Sequence, residues 1–288
     1  MQRKGIILAG GTGSRLFPIT LSTSKQLLAI YDKPMIYYPL SVLMLAGIKD
    51  ILVITTPNDH IQFKNLLGNG NQWGISISYE TQSRPDGIAQ SFIIAEDFLD
   101  GNPSALILGD NIFYGHGFNK ILEKAMNKTL GATVLGYHVS NPKDYGVAEF
   151  NNDNTLKSII EKPVNPPSNF AITGLYFVDE SAPMRAKEIA PSERGEVEIT
   201  SLLNSYISDV GIDLVKIGRG SAWLDTGTHS SLIDAGNFVR TIIERQGQQV
   251  GSPDEIAYIK NWINSEELLA QAKKYGTSSY GKFLRKLL

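Results

Sequence analysis

The sequence predicts the α/β class: a mostly parallel central sheet with helices on both faces, an added smaller sheet and a helical C-terminal extension. Three observations carry that prediction. Continuous apolar strand-like runs alternate with helix-length segments over residues 1–140. Residues 141–227 break that rhythm into short strand-like runs with Asn/Asp and Gly turns, and residues 228–288 read as helical. The chain has 288 residues, of which 42% are hydrophobic and 19% charged, values ordinary for a globular protein. We expect a single domain with an N-terminal part (1–140), a middle part (141–227) and a helical extension (228–288).

The elements follow in order. Lys4 to Ala9 is an unbroken apolar run, suited to a strand buried on both faces. "MIYYPLSVLMLAGI" has helical length and ends near Gly47, where a C-cap is expected, and "DILVITT" (Asp50 to Thr56) supplies the next strand. The alternation continues with a helix over Asp59–Leu67, a strand over Ile75–Thr81, a helix over Gly87–Leu99, a strand over Ser104–Gly109, a helix over Phe118–Lys128 and a strand over Ala132–Val139. Such an order implies parallel strands with right-handed crossovers, a Rossmann-like layering, and a ligand crevice beyond the carboxyl ends of the strands. Thereafter "YGVAEFNNDNTLKSIIEKP" reads as two strands around an Asn/Asp turn, and "FAITGLYFVDE" as a third. Helices are expected near Ala182–Ile189 and Val197–Ser208, strand material with a tight "GRGS" turn over Asp213–Gly227, and a long helix over Ser230–Gln246.

Charge and cysteine content narrow the function. A net charge of -2 argues against a polyanion-binding surface, so no nucleic-acid partner is expected and any cationic chemistry must be local. The absence of cysteine removes disulfides, thiolate zinc sites and a thiol nucleophile. The apolar start of "MQRKGIILAGG" is too short to span a membrane and lacks a cleavage pattern, so a cytoplasmic protein is expected. The four histidines, His60, His116, His138 and His229, show no ligand spacing.

The stretch "LAGGTGSRLFPIT" is the first functional signal. A glycine loop after a strand can turn backbone N–H groups toward an anion. It is not a dinucleotide loop, because Gly11-Thr12-Gly13 is followed by Ser14, Arg15 and Leu16 with no third glycine. No Walker string G-x-x-x-x-G-K-[ST] occurs anywhere. A triphosphate loop whose cations are Arg15 and Lys25 is left, against the plain alternative of a sharp turn.

"LAGGTGSRLFPIT" followed by "SKQLLAIYDKPMIYYPL" resembles the sugar-phosphate nucleotidylyltransferases, within them the branch acting on dTTP and glucose 1-phosphate. "ETQSRPDGIAQSF", "LILGDNIFYGHG", "DYGVAEF", "IIEKP", "RGEVEIT" and "AWLDTGTH" follow in that family's order along nearly the whole chain. The resemblance implies transfer of a nucleotidyl group to a sugar phosphate by single displacement, with Mg²⁺, and a dTDP-sugar destined for cell-surface polysaccharide. The nucleophile is already an anion, so positioning and charge compensation suffice.

By this resemblance residues 1–140 are the nucleotide-binding part and 141–227 the sugar-binding part; Leu8, Gly10, Gly11, Thr12, Gly13 and Gln26 line the nucleotide, with Gln82 and Gly87 at the base. Arg15 and Lys25 meet the triphosphate, Arg15 through a fork that holds two phosphate oxygens. Asp110, ending "ALILGD", points into the expected crevice; with Asp225 of "WLDTG" it offers the oxygen ligands Mg²⁺ prefers. Asp110 can instead cap the next segment, and Asp225 can form a turn. Glu161 meets sugar hydroxyls, Lys162 the 1-phosphate and Arg194 a further phosphate contact, while Asn111, Tyr145, Gly146 and Trp223 wall the sugar subsite.

The resemblance also implies a homotetramer and a second, regulatory nucleotide site, matched here by Tyr114, Gly115, Gly218 and Arg219. Three positions depart from the family pattern: Phe17 for tyrosine, Ala29 for proline, and Ile259 for arginine beside Lys260. The alternatives at this level are a UTP-using enzyme and a non-catalytic sugar-nucleotide-binding regulator.

Overall fold

The apolar run at the N-terminus becomes strand β1 (Lys4–Ala9), and its alternate side chains anchor two different cores, Ile7 and Ala9 on one face of the sheet, Ile6 on the other. A strand buried on both faces must be apolar at every position, which is what the run shows. The computed structural model describes residues 2–288. After β1 the chain makes three short 3-10 turns (Ser14–Leu16, Ile19–Leu21, Lys25–Leu27) and a small hairpin, β2 (Ala29–Ile30) and β3 (Lys33–Pro34). Helix α1 (Tyr37–Leu45) is buried on almost every side, as an all-round apolar helix must be. It ends with Gly47 at φ +88°.

The alternation then runs as expected: β4 (Asp50–Thr55), α2 (His60–Leu67), β5 (Ser76–Thr81), α3 (Gln90–Ile94), α4 (Glu96–Leu99) and β6 (Ser104–Leu108). The single helix expected over Gly87–Leu99 is two, divided at Ala95. Strands β6, β1, β4 and β5 lie side by side and parallel. Next come β7 (Asn111–Gly115), α5 (Phe118–Asn127), β8 (Ala132–His138), β9 (Gly146–Phe150), β10 (Leu156–Glu161) and β11 (Phe170–Val178). Strand β8 does not pair with β6; β11 is inserted between them, antiparallel to both.

The chain continues with α6 (Ala182–Glu188), α7 (Ile199–Ser208), β12 (Ile212–Lys216), β13 (Ser221–Asp225) and α8 (His229–Gln246), and ends in α9 (Pro253–Ile259), α10 (Ser265–Lys274) and α11 (Ser279–Lys286). β12 extends the main sheet beside β8, while β13 pairs with β7 in a separate two-stranded sheet. The "GRGS" turn therefore carries the chain from one sheet to the other rather than closing a hairpin. Strand β7 was not anticipated, because "NIFYG" follows β6 after only Gly109-Asp110, too short a link for a separate strand to be read from pattern alone.

One sheet face is covered by α1, α2, α5 and the C-terminal helices, the other by α3, α4, α6 and α7. A third cluster joins α8 to the β2–β3 hairpin and Ile112. Among the described residues no helix is long and apolar enough to cross a membrane.

Candidate active site

The carboxyl ends of β1, β5 and β6 open on one cleft, as parallel strands require. It divides into two adjoining cavities, which share Arg15, Ile88, Leu108 and Asp110.

The first, about 320 Å³, is lined by Leu8, Gly10, Gly11, Gln26, Gln82, Pro85, Gly87 and Glu196. Gln82 directly follows β5, its N–H bound to the Thr55 carbonyl at 2.8 Å. A Cβ on Gly10 would lie 2.8 Å from Gln82 Oε1, so a side chain there would have to displace the Gln82 amide. Gly87 is obligatory, at φ +109° and with a Cβ position 2.3 Å from the Val197 carbonyl oxygen. Gln26, 5% exposed, accepts from Ser24 Oγ at 2.6 Å. Thr12 and Gly13 line neither cavity; Gly13 instead closes the following turn, its carbonyl accepting from Leu16 N and Thr20 Oγ1.

The second cavity, about 190 Å³, gathers Asn111, Asp144, Tyr145, Gly146, Glu161, Lys162, Thr200, Trp223 and Asp225. Asp225 stands opposite Asn111 in the β7–β13 ladder, one residue from Asp110. Burial, then the charge of Asp110, pushes the Asp225 carboxyl up to about 6. Lys25, 9% exposed, donates to Asp110 Oδ2 at 2.5 Å. Asn111 is 2% exposed and taken up by protein partners: its Oδ1 accepts from Trp223 Nε1 at 2.6 Å and Gly174 N at 3.1 Å, and its Nδ2 donates to Asp110 Oδ1 at 2.9 Å. It thereby holds both the Trp223 wall and the Asp110 carboxylate. Tyr145 packs edge-on against Trp223, ring centroids 5.2 Å apart.

Arg15 lines both cavities and lies against Gly227, where a Cβ would sit 3.1 Å from its Nη2. Lys162 occupies φ +41°, a backbone region rare for a residue with a side chain, and the sort of strain that clusters at functional sites. Glu161 is raised above the usual carboxylate range by burial, then by the charge of Glu198.

Arg194 lines a neighbouring hollow rather than the second cavity. It binds Glu198 Oε1 at 2.8 Å through Nη2 and reaches Glu161 Oε1 at 3.3 Å. Sequence reasoning passed over Glu198, Thr200 and Gly227. "RGEVEIT" and "DTGTH" contained them, but no spacing rule marks a carboxylate that grips an arginine or a glycine that lies against one.

Tyr114 and Gly115 on β7 and Gly218 and Arg219 in the β12–β13 turn lie toward one end of the β7–β13 ribbon; Gly218 and Arg219 line a hollow with Tyr137 and His138 to which Tyr114 and Gly115 do not contribute. Ile259 and Lys260 line a separate hollow beside Leu45 and Asn119.

Among the described residues no cluster of three or more His, Asp or Glu side chains is arranged to hold a metal. The Asp110–Asp225 pair is a smaller donor set, and its chemistry suits a hard divalent cation. Both groups are oxygen donors on one cavity wall, and their mutual repulsion, visible in the raised Asp225, is relieved by a cation between them.

Residues 4–242 match the nucleotidyl transferase family model. The chain is 55% identical over 286 residues to a glucose-1-phosphate thymidylyltransferase of Xanthomonas campestris pv. campestris, covering 99% of this chain and 97% of that one. It is 53% identical over 285 residues to the enzyme of that name from Neisseria meningitidis, covering 99% of both chains. Among solved structures, a Bacillus anthracis protein assigned as a glucose-1-phosphate thymidylyltransferase, in complex with a sucrose, superposes with a TM-score of 0.77 at 40% identity, covering 83% of this chain and 95% of that one. A UDP-glucose pyrophosphorylase complexed with UDP-glucose shares the fold, with a TM-score of 0.72 at 23% identity over 84% of this chain and 99% of that one. With the cleft at the strand ends and identity maintained along the whole length, the chain belongs to the nucleotidyl transferase family.

Proposed function

We propose that the protein is a glucose-1-phosphate thymidylyltransferase, joining the thymidylyl group of dTTP to glucose 1-phosphate to give dTDP-glucose and pyrophosphate. The observation that carries the proposal is the paired cleft: a cavity walled mainly by backbone and amides, with Glu196 among its lining, adjoins one walled by carboxylates and a lysine, and Arg15 and Asp110 stand where they meet. A nucleotide base suits the first and a sugar phosphate the second, which brings a phosphate oxygen toward the α-phosphorus at the junction.

The displacement forms one P–O bond from the sugar phosphate to the α-phosphorus and breaks the bond to the β-phosphate, whose oxygen leaves with the pyrophosphate. No proton is transferred in that step. Arg15 holds the triphosphate and compensates charge as pyrophosphate departs. Lys25 keeps Asp110 in place and adds positive charge behind the phosphates. Lys162 meets the 1-phosphate, Glu161 accepts from sugar hydroxyls, and Arg194, held by Glu198 and Glu161, stands behind Glu161. Asp110 and Asp225 would hold Mg²⁺, which when bound neutralises phosphate charge. The reading includes a cytoplasmic enzyme that supplies dTDP-sugar synthesis, and a homotetramer.

The test is pyrophosphate release from dTTP and glucose 1-phosphate with Mg²⁺, repeated with UTP. Turnover with dTTP well above UTP supports the reading. Preference for UTP would make the protein a uridylyltransferase, and no turnover with any triphosphate would leave a binding protein.

A further inference from the structure

The base side of the cleft contains a hydrogen-bond chain whose direction is set by its outermost member. Gln82, 6% exposed, donates from Nε2 to Gln90 Oε1 at 2.6 Å and to the Gly87 carbonyl at 3.2 Å. Gln90, the first residue of α3, donates from its own Nε2 to Asp86 Oδ2 at 3.2 Å. An ionised carboxylate only accepts hydrogen bonds. Gln90 must therefore turn its NH2 group toward Asp86 and its oxygen toward Gln82. Gln82 must in turn present its NH2 group to Gln90, which leaves Gln82 Oε1 on the side of Gly10, in the nucleotide cavity.

An amide side chain on its own can flip to meet either a donor or an acceptor. This one cannot flip without setting its oxygen against two acceptors, Gln90 Oε1 and the Gly87 carbonyl, and losing both bonds. The loop that holds Asp86 is itself pinned, since the Asp86 carbonyl accepts from Val197 N at 2.7 Å.

We propose that Asp86 and Gln90 are positioning residues that polarise Gln82, so that the cavity offers an acceptor and selects bases carrying an N3–H donor, thymine and uracil, over cytosine, whose N3 is an acceptor. The inference rests on the reading of Gln82 as a base contact. It makes no distinction between thymine and uracil, because both present the same N3–H.

The experiment measures kcat and KM for dTTP, UTP and CTP, with saturating glucose 1-phosphate, in the wild type and in Asp86→Asn, Asp86→Glu, Gln90→Leu and Gln82→Ala. Asparagine can donate as well as accept, so Asp86→Asn frees the chain to reverse; Gln90→Leu removes its middle link. Both are expected to lower the dTTP:CTP ratio of kcat/KM by about tenfold or more, through KM rather than kcat, with the dTTP:UTP ratio and the KM for glucose 1-phosphate unmoved. Asp86→Glu, which keeps an acceptor, restores part of the ratio. A purely structural role would lower dTTP and CTP turnover alike. The inference is overturned if the dTTP:CTP ratio stays within about twofold of wild type in both Asp86→Asn and Gln90→Leu, or if the two triphosphates lose equally. A collapse of the ratio in Gln82→Ala alone would sink the relay and keep the base contact. An unchanged ratio in Gln82→Ala, or no wild-type turnover of dTTP, would remove the base contact and the relay with it.

Discussion

The two cavities of the cleft adjoin and share four residues, yet they are built from different chemistry. The base side carries mostly neutral polar groups, Gln26, Gln82 and the backbone at Gly10 and Gly87, with Glu196 as the carboxylate that lines it away from the junction. The sugar side is ionisable, with Glu161, Lys162, Asp144 and Asp225 on its walls and Arg194 and Glu198 just behind Glu161. A flat, uncharged base is told from its rivals by the direction of hydrogen bonds, which neutral amides supply without titrating. A sugar phosphate offers charge and many hydroxyls, which charged groups grip strongly at the expense of sensitivity to pH. The two sides are also mechanically joined. Val197 donates to the Asp86 carbonyl at 2.7 Å and accepts from Ala89 at 3.2 Å, and the missing Cβ of Gly87 lets those backbones touch.

The largest break in this comparison is expected at the junction. Arg15→Ala removes the cation common to both cavities and should lower kcat by about 10²–10³, while the melting temperature holds, because the side chain is exposed and outside the core. A rate near wild type would strip Arg15 of its role.

Next in size is Asp225→Asn. It should weaken the Mg²⁺ dependence of turnover by about 10–100-fold, a magnitude typical of a lost metal-site partner. An unchanged Mg²⁺ titration would rule Asp225 out as a ligand. The same variant tests burial. The Asp225 carboxyl is raised to about 6 in the fold, so the folded protein binds its proton more tightly than the unfolded chain. Stability without metal is therefore favoured below pH 4 and declines as pH rises toward 6, and the asparagine variant should escape that decline, gaining about 1–3 kcal/mol at pH 7. Urea melts at pH 4 and pH 7 would show it.

The smallest effect sharpens the contrast between the sides. Glu161 is raised above the ordinary carboxylate range by burial and then by Glu198, so it takes up a proton at a higher pH than an unburied glutamate. Protonation removes acceptors for sugar hydroxyls. The KM for glucose 1-phosphate should rise about three- to tenfold as pH is lowered through the Glu161 titration, and Glu161→Gln should flatten that part of the profile. The dTTP:CTP preference, set by amides, should stay constant over the same range. A drift of that preference with pH would contradict the division of labour.

Much of the site was legible in local pattern. "LAGGTGSR" announced a glycine turn with a cation, and "ALILGD" a carboxylate at the end of a buried strand; both residues line the cleft. Less legible were residues whose roles depend on distant partners. Asn111 reads as a ligand contact, yet its oxygen is bound to Gly174 and Trp223, 63 and 112 residues away. Arg194 reads as a phosphate contact, and in the structure its guanidinium is held by Glu198 and Glu161. Strand β7 escaped notice because its partner, β13, lies more than a hundred residues further along the chain.

By itself, the sequence determined the alternation of strand and helix, the buried helix α1, the glycine loop and the charged residues available to a reaction. These follow from apolar periodicity and backbone freedom, which act over a few residues. Only the tertiary structure decided that Lys25 binds Asp110 across 85 residues, that β13 leaves β12 for β7 and brings Asp225 beside that pair, and that Asp86 orients Gln82 through Gln90. Those arrangements depend on which surfaces bury each other and which donors find acceptors once water is excluded, and no local pattern encodes that choice.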